Sequence, residues 1–110
     1  MTFQRKTLTG EAVFEGIGLH SGVPVRVRVL PGQDGIGFRY GAERVAAVPE
    51  NVADTTRCTR LGSVSTIEHL MSALAGTGVT DCEVELSAPE LPALDGASLA
   101  YVQGLEAAGF

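Results

Sequence analysis

The sequence predicts an α+β fold, a two-layer sandwich in which a mostly antiparallel sheet is covered on one face by two helices. Three stretches alternate strictly between apolar and polar residues, as strands do, and two stretches carry apolar residues at helical spacing. The chain has 110 residues, of which 45% are hydrophobic. We therefore expect a single domain over residues 1–110, built around one core.

The strands are predicted mainly in the first half of the chain. Residues 25–29 alternate valine with arginine, and residues 36–40 repeat the alternation. A longer strand is predicted over residues 7–17, and a turn over residues 31–35, which are rich in proline and glycine. Residues 82–86 alternate again, with two glutamates on one face. If these strands are neighbours, the arginines and glutamates are expected to pair across the sheet.

The first helix is predicted to begin at Ser65, because Ser65 and Glu68 have the spacing of a capping box. Its core-facing residues recur at helical spacing: Ile67, Leu70, Met71 and Leu74. Two glycines, at 76 and 78, are expected to end it. On a helical wheel, Glu68 lies roughly 110° and His69 roughly 150° from the centre of this stripe. Both side chains are thus expected to point toward solvent or toward a docked partner.

The second helix is predicted over residues 98–108, with Gly109 as its stop signal. Its apolar stripe consists of Leu99, Val102 and Leu105. Two one-sided helices and several one-sided strands pack most simply as two layers, with the charged residues on the outer face of the sheet.

Charge and hydropathy exclude several classes of protein. Eight basic residues against 13 acidic ones give a net charge of −5, and no basic patch is present, so a nucleic-acid binder is not expected. No apolar stretch is long enough to form a transmembrane segment, and the first residues lack the apolar run of a signal peptide. We expect a cytoplasmic protein in which Cys58 and Cys82 are reduced thiols; the spacing alone also allows a disulfide.

Glu68 and His69 are the main candidates for chemistry. Adjacent Glu and His residues on a first helical turn suit metal-dependent hydrolysis, in which one binds the metal and the other moves a proton. Both also have a structural interpretation, Glu68 as part of the capping box and His69 as a surface histidine. His20 similarly fits a hairpin corner in the glycine-rich loop, and Cys58 a small buried strand residue. These residues do not complete a catalytic zinc site, which needs three protein ligands and an open position.

Four stretches of the chain read GIGLHSG at 16–22, DTTRCTRLG at 54–62, STIEHLMSALAGTGVTD at 65–81 and APELPALDGAS at 88–98. In order and spacing, they resemble the zinc-dependent UDP-3-O-acyl-N-acetylglucosamine deacetylase family of lipid A biosynthesis. The resemblance covers essentially the whole chain. It implies the first of two similar α+β domains that face each other across the active site.

The resemblance also implies roles for individual residues in removing the acetyl group from a nucleotide-sugar lipid, UDP-3-O-acyl-N-acetylglucosamine. It makes His69 a zinc ligand and Glu68 the general base, and it assigns Leu19, His20 and Cys58 to substrate binding near the acyl-chain entrance. The other two zinc ligands, in an HKxxD motif, and a histidine that protonates the departing amine belong to the family's second domain. That motif does not occur in these 110 residues.

Three functional hypotheses remain open at the level of sequence. In the first, the chain contributes Glu68 and His69 to a deacetylase that a second domain completes, in cis or in trans. In the second, it is a half-sized, non-catalytic binding or assembly module. In the third, two copies self-associate through the Glu68/His69 face and share a zinc between their histidines. The sequence does not distinguish a fragment from a naturally half-sized protein, and we expect little or no deacetylase activity from the chain alone.

Overall fold

A computed structural model describes residues 5–18, 21–48, 51–54, 59–61, 64–93 and 99–110 of the chain. Within these ranges, both predicted helices form, and the predicted α+β class is confirmed. In chain order the elements are β1 (Ala12–Gly18), β2 (Pro24–Pro31), β3 (Ile36–Tyr40), β4 (Glu43–Ala46), β5 (Val52–Asp54), β6 (Thr59–Leu61), β7 (Val64–Ser65), α1 (Glu68–Thr77), β8 (Cys82–Leu86), β9 (Pro92–Ala93) and α2 (Leu99–Ala108).

The described strands form a main sheet of six, in the order β4-β3-β8-β2-β1-β9, and a small sheet of three, β5-β6-β7. In the main sheet, β8 lies between β2 and β3; it runs antiparallel to β2 and parallel to β3. The other neighbouring pairs are antiparallel. The prediction of a mostly antiparallel sheet is therefore confirmed.

The core lies between one face of the main sheet and the two helices. The valines of β2 and the apolar residues of β8 point inward because alternate side chains of a strand share a face. Leu70 and Leu74 of α1 and Leu105 of α2 are fully buried in the same cluster. Burial of this apolar surface stabilises the two-layer arrangement by roughly 25 cal/mol for each Å² removed from water.

The outer face of the sheet carries the charges, as predicted. Arg28 donates from Nη1 to Glu85 at 3.1 Å and from Nε to Glu11 at 2.9 Å. Arg44 likewise donates from Nη2 to Glu83 at 2.7 Å. Each such pair is partly exposed and adds little stability, but together they keep the outer face polar.

Helix α1 begins at Glu68, so the predicted start at Ser65 and the capping box are wrong. Ser65 is instead the last residue of β7: its N–H donates to the carbonyl of Pro89 at 2.9 Å, and its carbonyl accepts from Leu91 at 3.1 Å. Ser65 also pairs with Arg60 of β6, which places it in a strand, and Ile67, which has no polar side chain, occupies the N-cap. At the other end, Gly78, with φ of 77°, ends the helix.

Two further predictions are corrected in detail. Leu99 is 58% exposed, whereas Tyr101 is 2% exposed, so the buried face of α2 begins at Tyr101 and not at Leu99. The predicted strand over residues 7–17 is shorter, because β1 begins only at Ala12. Before it, the chain contacts the segment that follows α1, where Lys6 accepts the N–H of Thr80 at 2.8 Å. Neither described helix has the length and hydropathy that crossing a membrane requires.

Candidate active site

Glu68 and His69 are the first two residues of α1 and lie off its core face, as the helical wheel predicts. The Glu68 side chain is exposed and that of His69 is half-buried. Their neighbours on either side, Ile67 and Leu70, are 3% and 0% exposed and anchor this turn in the core. The pair is thus presented at the surface by a turn whose own position is fixed by packing.

The start of a helix is a favourable place for a carboxylate. The first intrahelical hydrogen bond here runs from the N–H of Met71 to the carbonyl of Ile67, at 2.9 Å. The N–H groups of the first turn have no carbonyl partner within the helix and carry a partial positive charge. A carboxylate near this end of a helix is favourable for that reason. The sequence therefore places a carboxylate and an imidazole at adjacent positions on the first turn of α1.

The residue before this turn has an uncommon backbone conformation. Thr66 has a φ of 61°, and it is the only non-glycine residue with positive φ among those described. For a β-branched residue this left-handed conformation costs about 1–3 kcal/mol and persists only when surrounding contacts enforce it. Thr66 is also 7% exposed. The path of the chain into Glu68 is consequently set by local tertiary contacts.

Tyr101 of α2 lies near Glu68 and was not singled out by its sequence pattern, because it falls beside the predicted apolar stripe. Its hydroxyl is buried and donates to the carbonyl of Pro92 at 2.9 Å. Burial raises the pKa of Tyr101, and the negative charge of Glu68 raises it further. The phenol therefore stays neutral at neutral pH.

The remaining candidates from the sequence, Leu19, His20 and Cys58, lie outside the described residues. Whether they approach Glu68 and His69 stays a prediction. Within the glycine-rich loop, the N–H of Gly22 donates to the carbonyl of Gly18 at 2.9 Å.

A metal at this site would need ligands beyond the described residues. Among the residues of known position, no three His, Cys, Asp or Glu side chains are grouped so as to hold a metal ion. His69 beside Glu68 fits one ligand and one base of a catalytic zinc site, which takes three protein ligands and an open position. The donor set is thus compatible with zinc but incomplete.

Comparisons with known proteins identify the family of the chain. The family model described as UDP-3-O-acyl N-acetylglycosamine deacetylase (LpxC) matches residues 5–110. Three similar proteins are each named UDP-3-O-acyl-N-acetylglucosamine deacetylase. The one from Xanthomonas campestris pv. campestris is 46% identical over 116 positions, which cover 96% of this chain and 38% of that protein. Those from Syntrophus aciditrophicus and Myxococcus xanthus are 39% and 37% identical, over 99% and 98% of this chain. This chain spans 38% of the length of each of these relatives.

Proposed function

Because the chain belongs to the UDP-3-O-acyl-N-acetylglucosamine deacetylase family, we propose that it supplies two residues to a zinc-dependent deacetylase. Glu68 is the general base and His69 is one zinc ligand. The substrate is UDP-3-O-acyl-N-acetylglucosamine, and the reaction belongs to lipid A biosynthesis. Leu19, His20 and Cys58 contribute to substrate binding in the same proposal.

The observation that supports this proposal best is the placement of Glu68 and His69. They are adjacent on the first turn of α1, away from the core, while Ile67 and Leu70 hold the turn in place. A structural role in the core of this chain does not account for either side chain. A carboxylate and an imidazole at fixed positions are what metal-assisted amide hydrolysis requires.

The chemistry of the two residues follows from their types. Zinc, when bound, polarises the amide carbonyl and lowers the pKa of a coordinated water. Glu68 accepts a proton from the attacking water while the oxygen of that water bonds to the carbonyl carbon. The C–N bond then breaks, acetate leaves, and the amine nitrogen receives a proton from a second acid. The family resemblance assigns that acid to a histidine of a second domain.

A second domain also accounts for the incomplete ligand set. The relatives are about 2.6 times as long as this chain, since it spans 38% of their length. In the proposal, the additional part supplies the remaining zinc ligands and docks against the face that carries Glu68 and His69. The chain alone is expected to have little or no activity.

The decisive experiment uses a chimera in which this chain replaces the matching segment of the Xanthomonas campestris relative. Acetate release from UDP-3-O-acyl-N-acetylglucosamine is measured for the chimera and for Glu68→Gln. Loss of the general base is expected to lower kcat by roughly 10²–10⁴-fold. Glu106→Gln, which removes an exposed carboxylate from α2, is the matched control and should leave kcat unchanged.

Zinc content separates the alternatives. We expect about one zinc per chimera and a lower zinc affinity in His69→Ala, while the chain alone holds none. One zinc per two copies of the chain alone would support the self-associated site instead. An active chimera whose rate is unaffected by Glu68→Gln would show that the role assigned to Glu68 is wrong, and it would favour a non-catalytic module.

A further inference from the structure

The carboxylate of Glu90 is buried where three segments of the chain meet. The residue is 3% exposed and lies just before β9. Its Oε1 accepts the backbone N–H of Ser21 at 3.1 Å, and its Oε2 accepts the hydroxyl of Thr66 at 3.2 Å. One side chain therefore contacts both the glycine-rich loop and the residue that leads into α1.

The contact with Thr66 is made at the residue whose backbone has the uncommon left-handed conformation. Thr66, with its φ of 61°, is two residues before Glu68. The backbone of Ser65, the residue before Thr66, is held by hydrogen bonds to the residues on either side of Glu90, which form a parallel bridge between Ser65 and Glu90. Because the left-handed conformation of a threonine needs enforcing contacts, the bond from its hydroxyl to Glu90 helps to fix where α1 begins.

The glycine-rich loop is shaped to admit this carboxylate. A β-carbon added at Gly18 would overlap Oε1 of Glu90 and would lie 3.1 Å from its Cδ. Gly18 is also paired with Pro92 of β9, which brings the strand backbone against the Glu90 segment. A side chain at position 18 would therefore displace the Glu90 carboxylate or the Ser21 hydroxyl.

We propose that Glu90 is a positioning residue of the active site: its buried carboxylate locks the glycine-rich loop to the start of α1. Resting on the proposed function, this inference means that Ser21 and the turn carrying Glu68 and His69 are held in one fixed arrangement. A buried carboxyl group is unfavourable unless hydrogen-bond donors satisfy its oxygens, so the donors and Glu90 depend on one another. Glu90 acts through Thr66 and Ser21 and does not itself touch the reacting atoms.

Kinetics of the chimera test the effect on catalysis. Thr66→Val removes the hydroxyl and keeps the β-branched shape, and Glu90→Gln replaces the carboxyl group by an amide of the same shape. Because small displacements of catalytic groups are costly, both are expected to lower kcat roughly 10- to 100-fold, with a smaller change in KM. Thr66→Ser, which keeps the hydroxyl, should restore most of the rate.

Asp81→Asn is the matched control. Asp81 is also a buried carboxylate, 3% exposed, and it accepts from Arg5, Thr80 and the N–H of Gly35. It lies beyond the opposite end of α1, and the helix between it and Glu68 is roughly 15 Å long at 1.5 Å per residue. Asp81→Asn should reduce the thermal stability of the chimera without reducing kcat at a temperature where it is folded.

A second measurement does not depend on deacetylase activity. In amide NMR spectra of the chain, Thr66→Val and Glu90→Gln should both shift the N–H resonance of Ser21 and those of Glu68 and His69. In Glu90→Gln the Ser21 amide should also exchange faster with solvent, since its carboxyl acceptor is replaced. Asp81→Asn should leave these three resonances in place.

The outcomes separate the two proposals. Wild-type kcat in folded Thr66→Val, or an equal loss of kcat in Asp81→Asn, would overturn the positioning role of Glu90. A Ser21 resonance that stays unchanged in both Thr66→Val and Glu90→Gln would overturn the structural link itself. If the chimera lacks Glu68-dependent activity while the three resonances move together, the link stands and the proposed function fails.

Discussion

Phe14 of β1 and Tyr101 of α2 pack with their ring centroids 4.8 Å apart and their planes inclined by 59°. A tilted aromatic pair of this kind contributes about 0.5–1.5 kcal/mol beyond the area that it buries. The ring of Phe14 also lies against Gly104, one turn further along α2, where a side chain would overlap it. The second helix is thus seated on β1 by one aromatic contact and one glycine.

Gly104→Ala is expected to destabilise the chain, because the added methyl group would displace the Phe14 ring. Overpacking of this kind lowers the free energy of unfolding by about 1–3 kcal/mol. Gly76→Ala in α1 is the control: its methyl group would meet nothing within 4 Å, and alanine favours a helix over glycine by about 0.5–1 kcal/mol. Urea unfolding followed by circular dichroism should show a lower free energy of unfolding in Gly104→Ala and a higher one in Gly76→Ala, each relative to the unmodified chain. A change of the same sign in both variants would contradict the packing described at Gly104.

Tyr101→Phe should remove the buried hydrogen bond to Pro92 and cost about 1 kcal/mol near neutral pH. The effect should shrink in alkali. The pKa of Tyr101 is raised above its ordinary value of 10 in the folded chain. Stability that depends on the neutral phenol is complete below pH 10 and decreases as the pH rises beyond it. Above pH 10 the melting temperature should therefore fall more steeply with pH in the unmodified chain than in Tyr101→Phe. An equal fall in both would contradict the stabilising role of the neutral phenol.

Asp81 should account for part of the loss of stability in acid. Its hydrogen bonds with Arg5, Thr80 and Gly35 lower its pKa from 3.8 to about 2. Its contribution is therefore complete above pH 3.8 and is lost as the pH falls toward 2. Melting temperatures measured across this interval should fall less in Asp81→Asn than in the unmodified chain. The same fall in both would show that other carboxylates dominate acid unfolding.

Cys82 should be inert toward thiol reagents while the chain is folded. It is 0% exposed, and burial raises its pKa to about 12. Thiolate is the reactive form, so both access and ionisation are suppressed. In a Cys58→Ser background, Ellman's reagent should label Cys82 only after denaturant is added. Rapid labelling of the native chain would place the thiol at the surface.

The strands of the main sheet were predictable where one face is buried and the other is charged. In β2 and β8 this contrast repeats at every second residue, so periodicity alone identifies the inner face. The small sheet of β5, β6 and β7 was not predicted, because strands of two or three residues are too short to show a period. The prediction at Ser65 failed because the spacing of a capping box is a local signal. It does not register the pairing of Ser65 with Arg60 of β6 or its bridge to Glu90, 25 residues later.

The candidate site divides in the same way. The positions of Glu68 and His69 off the core face follow from the helical repeat, which the sequence carries directly. The role of Glu90 depends on contacts with Ser21 and Thr66, 69 and 24 residues away in the chain. Its own stretch is rich in proline and shows no period that would predict a buried carboxylate. Such a group can be recognised only when the segments that surround it are placed in space.

The location of β8 between β2 and β3 has a consequence for the order of folding. Neither β2 nor β3 can pair with β8 until residues 82–86 are available. Until then, the β1–β2 and β3–β4 pairs each have one edge without its final partner. Insertion of β8 between β2 and β3 requires contacts between residues about 50 positions apart, and contacts over such a separation slow folding. During synthesis on the ribosome, the unpaired edges of β2 and β3 stay exposed to other chains until β8 emerges.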